Sequence, residues 1–285
     1  MRSPIAFSFR STNGVSLHVA DTGPPEGPLV VLLHGFPEFW YGWRHQIEPL
    51  ADAGFRVLVP DQRGYNLSAR PREVGAYDLD LLAADILGLA EAAGRRHFTV
   101  VGHDWGASVG WWIATRHADR VDRLIAVNAP HPAVWVQAMR TDPEQRGRSR
   151  YVSLFRIPVL PEFLMRRRNF RQLAAALYES QRPDAWSDDD LEVYRAAWSL
   201  PGALTGMVNW YRALLCKRLP DQPQRITVPT RIICGSNDKY AVRDLAERSL
   251  RLCDTASVEY LDASHWVQHD EPVRVAELIC EFLRA

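Results

Sequence analysis

Cysteine is scarce in this sequence. The four present, Cys216, Cys234, Cys253 and Cys280, have neither the short spacings of a zinc site nor the density of a disulfide-held secreted domain. They read as reduced packing residues. A net charge is also missing: Lys+Arg 34 balances Asp+Glu 34, so no overall field selects nucleic acid or an anionic membrane as partner, and a small neutral substrate suits the balance better. No apolar run is long enough to span a bilayer, and the opening MRSPIAFSFRSTNG has one early Arg without the apolar stretch of a signal peptide. A cytoplasmic location is the expectation. Internal repeats and low-complexity segments are absent, and WSDDDLEVYRAAW reads as an Asp-rich helix start rather than a metal loop. No metal or organic cofactor is implied.

What is present is alternation. With 285 residues, 47% hydrophobic and 24% charged, the chain can form one large domain or a core with an inserted subdomain. Ile5 to Arg10 and Val15 to Ala20 flank the turn dipeptide Asn13-Gly14 and predict an antiparallel hairpin. The continuous run LVVLLHG has the composition of a parallel strand buried on both faces. RVLVPD, FTVVGHD, RLIAVNAP, TRIICGSND and SVEYLD are similar short β-rich runs, with helical patterns between them at Leu79 to Ala93 and Ala107 to His117 and a closing one at Pro272 to Arg284. This alternation predicts an α/β fold, a mostly parallel sheet with helices on both faces. From about Ala133 to Pro220 no buried-strand run occurs, only Arg-rich and Trp-rich helical stretches broken at Pro158, Pro161, Pro183 and Pro201. The expected organisation is therefore a core in residues 1–132 and 221–285 with an all-helical cap at 133–220.

Ligands of an open α/β sheet sit beyond the carboxyl ends of its strands. The polar residues predicted there are His34, Asp61, Asp104, Asn128, Asp238 and His265. Asp104, Asp238 and His265 follow the chain order nucleophile, acid, histidine. Asp104 lies in VVGHDWGASVG, a Gly-x-x-x-Gly turn between a strand and a helix whose centre is aspartate instead of serine. Such a turn is sharp and strained and needs small neighbours; the plainer reading of Asp104 is a helix N-cap. His265 falls between the last strand and the final helix, where a loop can carry imidazole over Asp104, whereas His103, His131 and His269 read as ordinary surface histidines. Asp238 could hold the imidazole Nδ1–H, or simply form the turn in GSND. Asp61 is assigned to turn structure. An oxyanion hole would use the backbone N–H of Trp105 and that of Phe36 in HGFPE, since Pro37 has none to give.

HGFPEFWYGWRHQ, DQRGYNLSARP, GHDWGA and HWVQHDEP together resemble the epoxide hydrolases of the α/β-hydrolase fold, across nearly the whole chain. The first and third motifs are shared with haloalkane dehalogenases. The resemblance implies two cap tyrosines that bind and protonate the epoxide oxygen, matched here by Tyr151 in YVSLFRIPVLPE and Tyr211 in NWYRALL; Val159 stands where the family often has glycine. It also implies attack by Asp104 on an epoxide carbon, an ester intermediate, and hydrolysis of that ester by water activated by His265 and Asp238, with a small-molecule epoxide and water as partners and no nucleic acid or membrane. Trp40, Trp43, Trp105, Trp135, Trp198 and Trp210 suggest an apolar pocket between cap and core, suited to lipophilic epoxides. The alternative is a haloalkane dehalogenase with the same aspartate nucleophile. It would pair Trp105 with a Trp or Asn in the HG loop, where Phe36 stands, while a fluoroacetate dehalogenase would need arginines where Trp105 and Ser108 lie. A degenerate hydrolase that binds without turnover is the third reading. RRRNF in the cap reads as a solvated face, and the exposed cap surface leaves room for a homodimer.

Overall fold

Asn13 and Gly14 both take positive φ, 44° and 75°, the twist that a two-residue hairpin turn demands. They join β1 (Ala6–Thr12) to β2 (Val15–Thr22) as an antiparallel pair with Thr12 opposite Val15. The computed structural model describes residues 4–180, 182, 184–216 and 224–285. The other apolar runs all form strands: β3 (Leu29–Leu33), β4 (Arg56–Pro60), β5 (Phe98–His103), β6 (Val121–Val127), β7 (Thr230–Gly235) and β8 (Ala256–Leu261). They lie in one 8-stranded sheet of order β1-β2-β4-β3-β5-β6-β7-β8, parallel from β4 onward.

The side chains of β3 explain why this sheet is covered twice. Leu29, Val31 and Leu33 enter one core and Val30 and Leu32 the other, and all are buried. Helix α1 (Arg44–Asp52) covers the second core, α2 (Leu79–Ala92) and α3 (Trp105–Arg116) the first. Between β6 and β7 come α4 (Pro132–Thr141), α5 (Pro143–Arg148), α6 (Arg150–Phe155), α7 (Leu160–Leu177), α8 (Asp188–Ser199) and α9 (Ala203–Cys216), with no strand among the described residues. Then follow α10 (Asp244–Leu250), α11 (Val267–Asp270) and α12 (Pro272–Arg284). Val275, Leu278, Ile279 and Phe282 form the buried stripe of α12 against the second core, at helical spacing.

Within the helical insertion, Pro158 and Pro201 separate helices, but Pro161 lies in the first turn of α7, where a missing N–H costs nothing. The Asp-rich run opens α8 with a capping box between Ser187 and Asp190. α7 is broken by Arg167, Arg168, Asn169 and Phe170, which leave helical geometry. The packing of Cys216, the break at Pro183 and the boundary at 220/221 lie outside the described residues and side chains.

The insertion is pinned to the core by specific contacts. α9 crosses the loop after β4 so closely that a Cβ on Gly206 would lie 2.5 Å from the Gly64 carbonyl oxygen. Indole N–H groups bind core carbonyls, Trp198 to Pro37 at 2.7 Å and Trp210 to Arg63 at 2.9 Å. These tryptophans therefore fasten the helical insertion to the core, and Trp43 packs beneath α1 in the second core. Of the six expected around a pocket, Trp105 and Trp135 line the cavity at Asp104. No helix among the described residues is long and apolar enough to cross a membrane.

Candidate active site

Asp104 stands between β5 and α3 with φ 51° and ψ −117°, outside the usual regions for a side-chain-bearing residue. Its carboxylate makes no cap hydrogen bond to α3, which removes the N-cap reading. The flanking glycines are obligatory: a Cβ on Gly102 would collide with the Gly106 backbone, and one on Gly106 with the Leu33 carbonyl. Gly35 is equally constrained, since its Cβ would strike the Asp104 side chain. That close approach lets the Phe36 N–H donate to Asp104 Oδ1 at 2.9 Å. Trp105 follows directly as the first residue of α3.

Asp104 Oδ2 lies 3.8 Å from His265 Nε2, and His265 Nδ1 is 2.9 Å from Asp238 Oδ2. Asp238 Oδ1 accepts the backbone N–H groups of Tyr240 at 2.7 Å and Ala241 at 3.2 Å. Burial alone would raise the pKa of Asp238, but His265 and these amides outweigh it and hold the carboxyl below its usual value. Burial would likewise lower His265, yet Asp238 first and Asp104 next raise it to about 9. The loop carrying His265 is tied to the strand ends by Asn128, which accepts the Gly235 N–H at 2.7 Å and donates to the Ser264 carbonyl at 2.9 Å. Asp61 is a fully buried hub, accepting from the Trp40 and Asn66 nitrogens at 3.0 and 2.8 Å and lying 2.7 Å from His18 Nδ1. It holds loops together, as a turn-forming residue would.

Tyr151 on α6 and Tyr211 on α9 meet edge to face, with ring centroids 5.8 Å apart. Tyr211 also packs edge to face on Trp105 at 5.0 Å and on Phe36 at 5.4 Å. Burial is the main cause that raises both phenol pKa values, and the Asp104 charge adds to it. Both hydroxyls therefore keep their protons through the neutral range. Asp104, His265, Tyr151 and Tyr211 line one cavity, whose other walls include Leu79, Trp105, Pro132, Trp135 and Leu214.

Residues beyond the expected set lie behind His265. Glu38, the last letter of HGFPE, is 1% exposed. It accepts the Tyr194 hydroxyl at 2.7 Å and the Gln268 amide at 3.0 Å, and lies 2.8 Å from His269 Nε2 and 3.3 Å from His103 Nδ1. His103 Nε2 in turn lies 2.9 Å from the His265 carbonyl oxygen. Burial works against a charge on Glu38, but His269 and His103 outweigh it and hold its pKa well below the usual carboxylate range. His103, His131 and His269 are thus buried residues and not surface ones. In the sequence its members are scattered over HGFPE, GHDWGA, WSDDDLEVYRAAW and HWVQHDEP, and nothing local marks them as partners of one another.

The profile of the alpha/beta hydrolase fold matches residues 28–272. The chain is 45% identical over 277 residues to the AB hydrolase superfamily protein YfhM of Bacillus subtilis, covering 97% of each. It is 36% identical over 311 residues to Epoxide hydrolase A of Mycobacterium tuberculosis, covering 95% of each. The Bacillus megaterium epoxide hydrolase, solved in complex with an inhibitor, superposes with a TM-score of 0.89 at 32% identity, covering 98% of this chain and 100% of that one. With an aspartate at the strand-to-helix turn, a His265–Asp238 pair beside it and that degree of likeness over nearly its whole length, the chain belongs to the epoxide hydrolase family of the α/β-hydrolase fold.

Proposed function

We propose that the protein hydrolyses lipophilic epoxides to vicinal diols through an ester on Asp104. The observation that carries this reading is the meeting of an elbow aspartate, a His265–Asp238 pair and two protonated phenols in one largely apolar cavity. Asp104 Oδ2 attacks an epoxide carbon while its partner Oδ1 stays on the Phe36 amide. The carbon–oxygen bond of the ring breaks, and the oxygen takes a proton from Tyr151 or Tyr211, since an alkoxide is too basic to form unaided at neutral pH.

The ester that results is uncharged. One of the charges that raise His265 is then gone, so the imidazole gives up its proton more readily; that proton restores the phenol that was spent on the epoxide oxygen, and the neutral imidazole acts as base toward water. That water attacks the carboxyl carbon of Asp104, and the amides of Phe36 and Trp105 receive the oxyanion at Oδ1. Collapse expels the diol with Oδ2 as its new hydroxyl oxygen, and His265 returns the proton to it. The water oxygen remains on Asp104, whose carboxyl gives the second water proton to His265, so that the carboxylate and the charged imidazole of the resting protein are restored. A serine nucleophile would have left the labile carbonyl on the substrate; the aspartate keeps it on the enzyme.

Halide release would need a second donor beside Trp105, and the HG loop offers Phe36 there. The discriminating experiment incubates the protein with aryl and alkyl epoxides and with haloalkanes, scoring diol and free halide. Diol without halide, abolished by Asp104→Ala, is the expected result; halide without diol would make Tyr151 and Tyr211 packing residues. The free cysteines Cys234, Cys253 and Cys280 support a reducing, cytoplasmic working location.

A further inference from the structure

The chain is neutral as a whole, but the cap segment that leaves the site is not. α6 carries Tyr151 and ends at Phe155, and residues 156–160 after it are all exposed. Ile157 is 45% exposed, Val159 73% and Phe163 59%. The Phe163 N–H bonds the Val159 carbonyl at 3.0 Å, and the Arg167 guanidinium lies 5.8 Å from the Phe163 ring centre. Val159, Phe163 and Arg167 therefore run along one side of the opening turns of α7. Around them Arg156, Arg166, Arg168 and Arg171 are exposed, and among the described residues none of these arginines has a carboxylate partner. Glu162, the one acid in this stretch, is taken by Arg212 at 2.8 and 3.1 Å.

Val159 is an odd choice for its position. With φ 66° and ψ −35° it centres a γ-turn in which the Leu160 N–H meets the Pro158 carbonyl at 2.7 Å, a conformation that suits glycine and strains a β-branched residue. A side chain this exposed earns nothing in the core. An apolar tip ringed by arginines that have no carboxylate partner among the described residues fits the headgroup layer of an anionic bilayer, where aliphatic and aromatic groups settle below the phosphates and arginines meet them. A second copy of the chain fits less well, because a twofold contact would set the same arginines against each other.

We propose that residues 156–168 of the cap dock on an anionic lipid surface. Arg212, next to Tyr211, donates to the Phe155 and Ile157 carbonyls at 3.0 Å each while holding Glu162, so the patch is fixed to both tyrosine-bearing helices. Docking brings α6, whose Tyr151 lines the cavity, next to the phase into which an apolar epoxide partitions. The lipid contact itself is independent of the reaction and is tested without it.

The test is co-sedimentation of the purified protein with vesicles of phosphatidylcholine alone and with vesicles that also contain phosphatidylglycerol, at low and high salt. Binding should require phosphatidylglycerol and fall with salt. Replacing Arg166 and Arg167 by Ser should weaken it roughly 30-fold. Val159→Gly relieves the positive φ, so the variant folds at least as well as the parent; combined with Phe163→Ser it should still lose about tenfold or more of the binding. Hydrolysis of a water-soluble epoxide should be unchanged in these variants. Equal binding to both vesicle types, no binding to either, or parent-like binding by the variants would overturn the proposal. So would a dimer in solution that Val159→Gly and Phe163→Ser dissolve, which would give the patch to a second copy.

Discussion

Burial alone would strip His265 of its proton in the free protein, yet Asp238 and Asp104 together raise its pKa to about 9. Below that value the resting imidazole is charged. In the proposed ester the Asp104 contribution is gone, so the group is expected to titrate lower there, where the proposal has it act as base. Decay of the ester should therefore slow as pH falls, with an apparent pKa under 9. In the free protein Asp104→Asn should lower the His265 pKa read by NMR titration; an unchanged value would break this coupling. The phenols are held protonated by burial. Tyr211→Phe should slow ring opening in single-turnover kinetics, and removing both hydroxyls should cost about 100-fold or more. Ring opening at the parent rate by the double variant would refute their role as acids.

Helices place these groups, and the contact between α9 and the loop after β4 sets where Tyr211 stands. No side chain fits between Gly64 and Gly206, and the adjacent Trp210 hydrogen-bonds Arg63 in the same loop. Gly206→Ala should push α9 outward and slow ring opening, with no further effect once Tyr211 is already Phe. Independent, additive losses would show that the contact is packing alone. Elsewhere in the helical insertion, α8 reaches the core through Tyr194 and Glu38. Glu38→Ala leaves His103, His269 and Gln268 without their buried acceptor and should cost about 3 kcal/mol of stability in urea unfolding. The strands were legible because a buried parallel strand is a continuous apolar run, and the hairpin because Asn13-Gly14 suits positive φ. The break in α7 was not, since Arg168, Asn169 and Phe170 carry no glycine or proline to announce it.

In the molecule as a whole, the placement of Asp104, Asp238 and His265 together beyond the strand ends was legible in the sequence, because the apolar pattern locates those ends. That Tyr151 and Tyr211 line the same cavity could be expected only through the family resemblance, for a tyrosine on an amphipathic helix has no distinguishing local pattern. Glu38 escaped because what makes it matter, His269 and Gln268 at 231 and 230 residues' separation and Tyr194 at 156, exists only after folding. The tryptophans misled for a similar reason: composition implies an apolar interface between cap and core, but not which rings line the cavity and which, like Trp198 and Trp210, hydrogen-bond across it. The carboxylate of Asp104 is expected to become covalently attached to substrate, and His265 to be needed for its release. Intact-mass spectrometry of His265→Gln after exposure to an aryl epoxide tests this directly. A lasting gain of one substrate mass, absent when Asp104 is also replaced by Ala, is the predicted result. Diol formation by His265→Gln at the parent rate, or no adduct on it while the parent protein turns the epoxide over, would contradict the account.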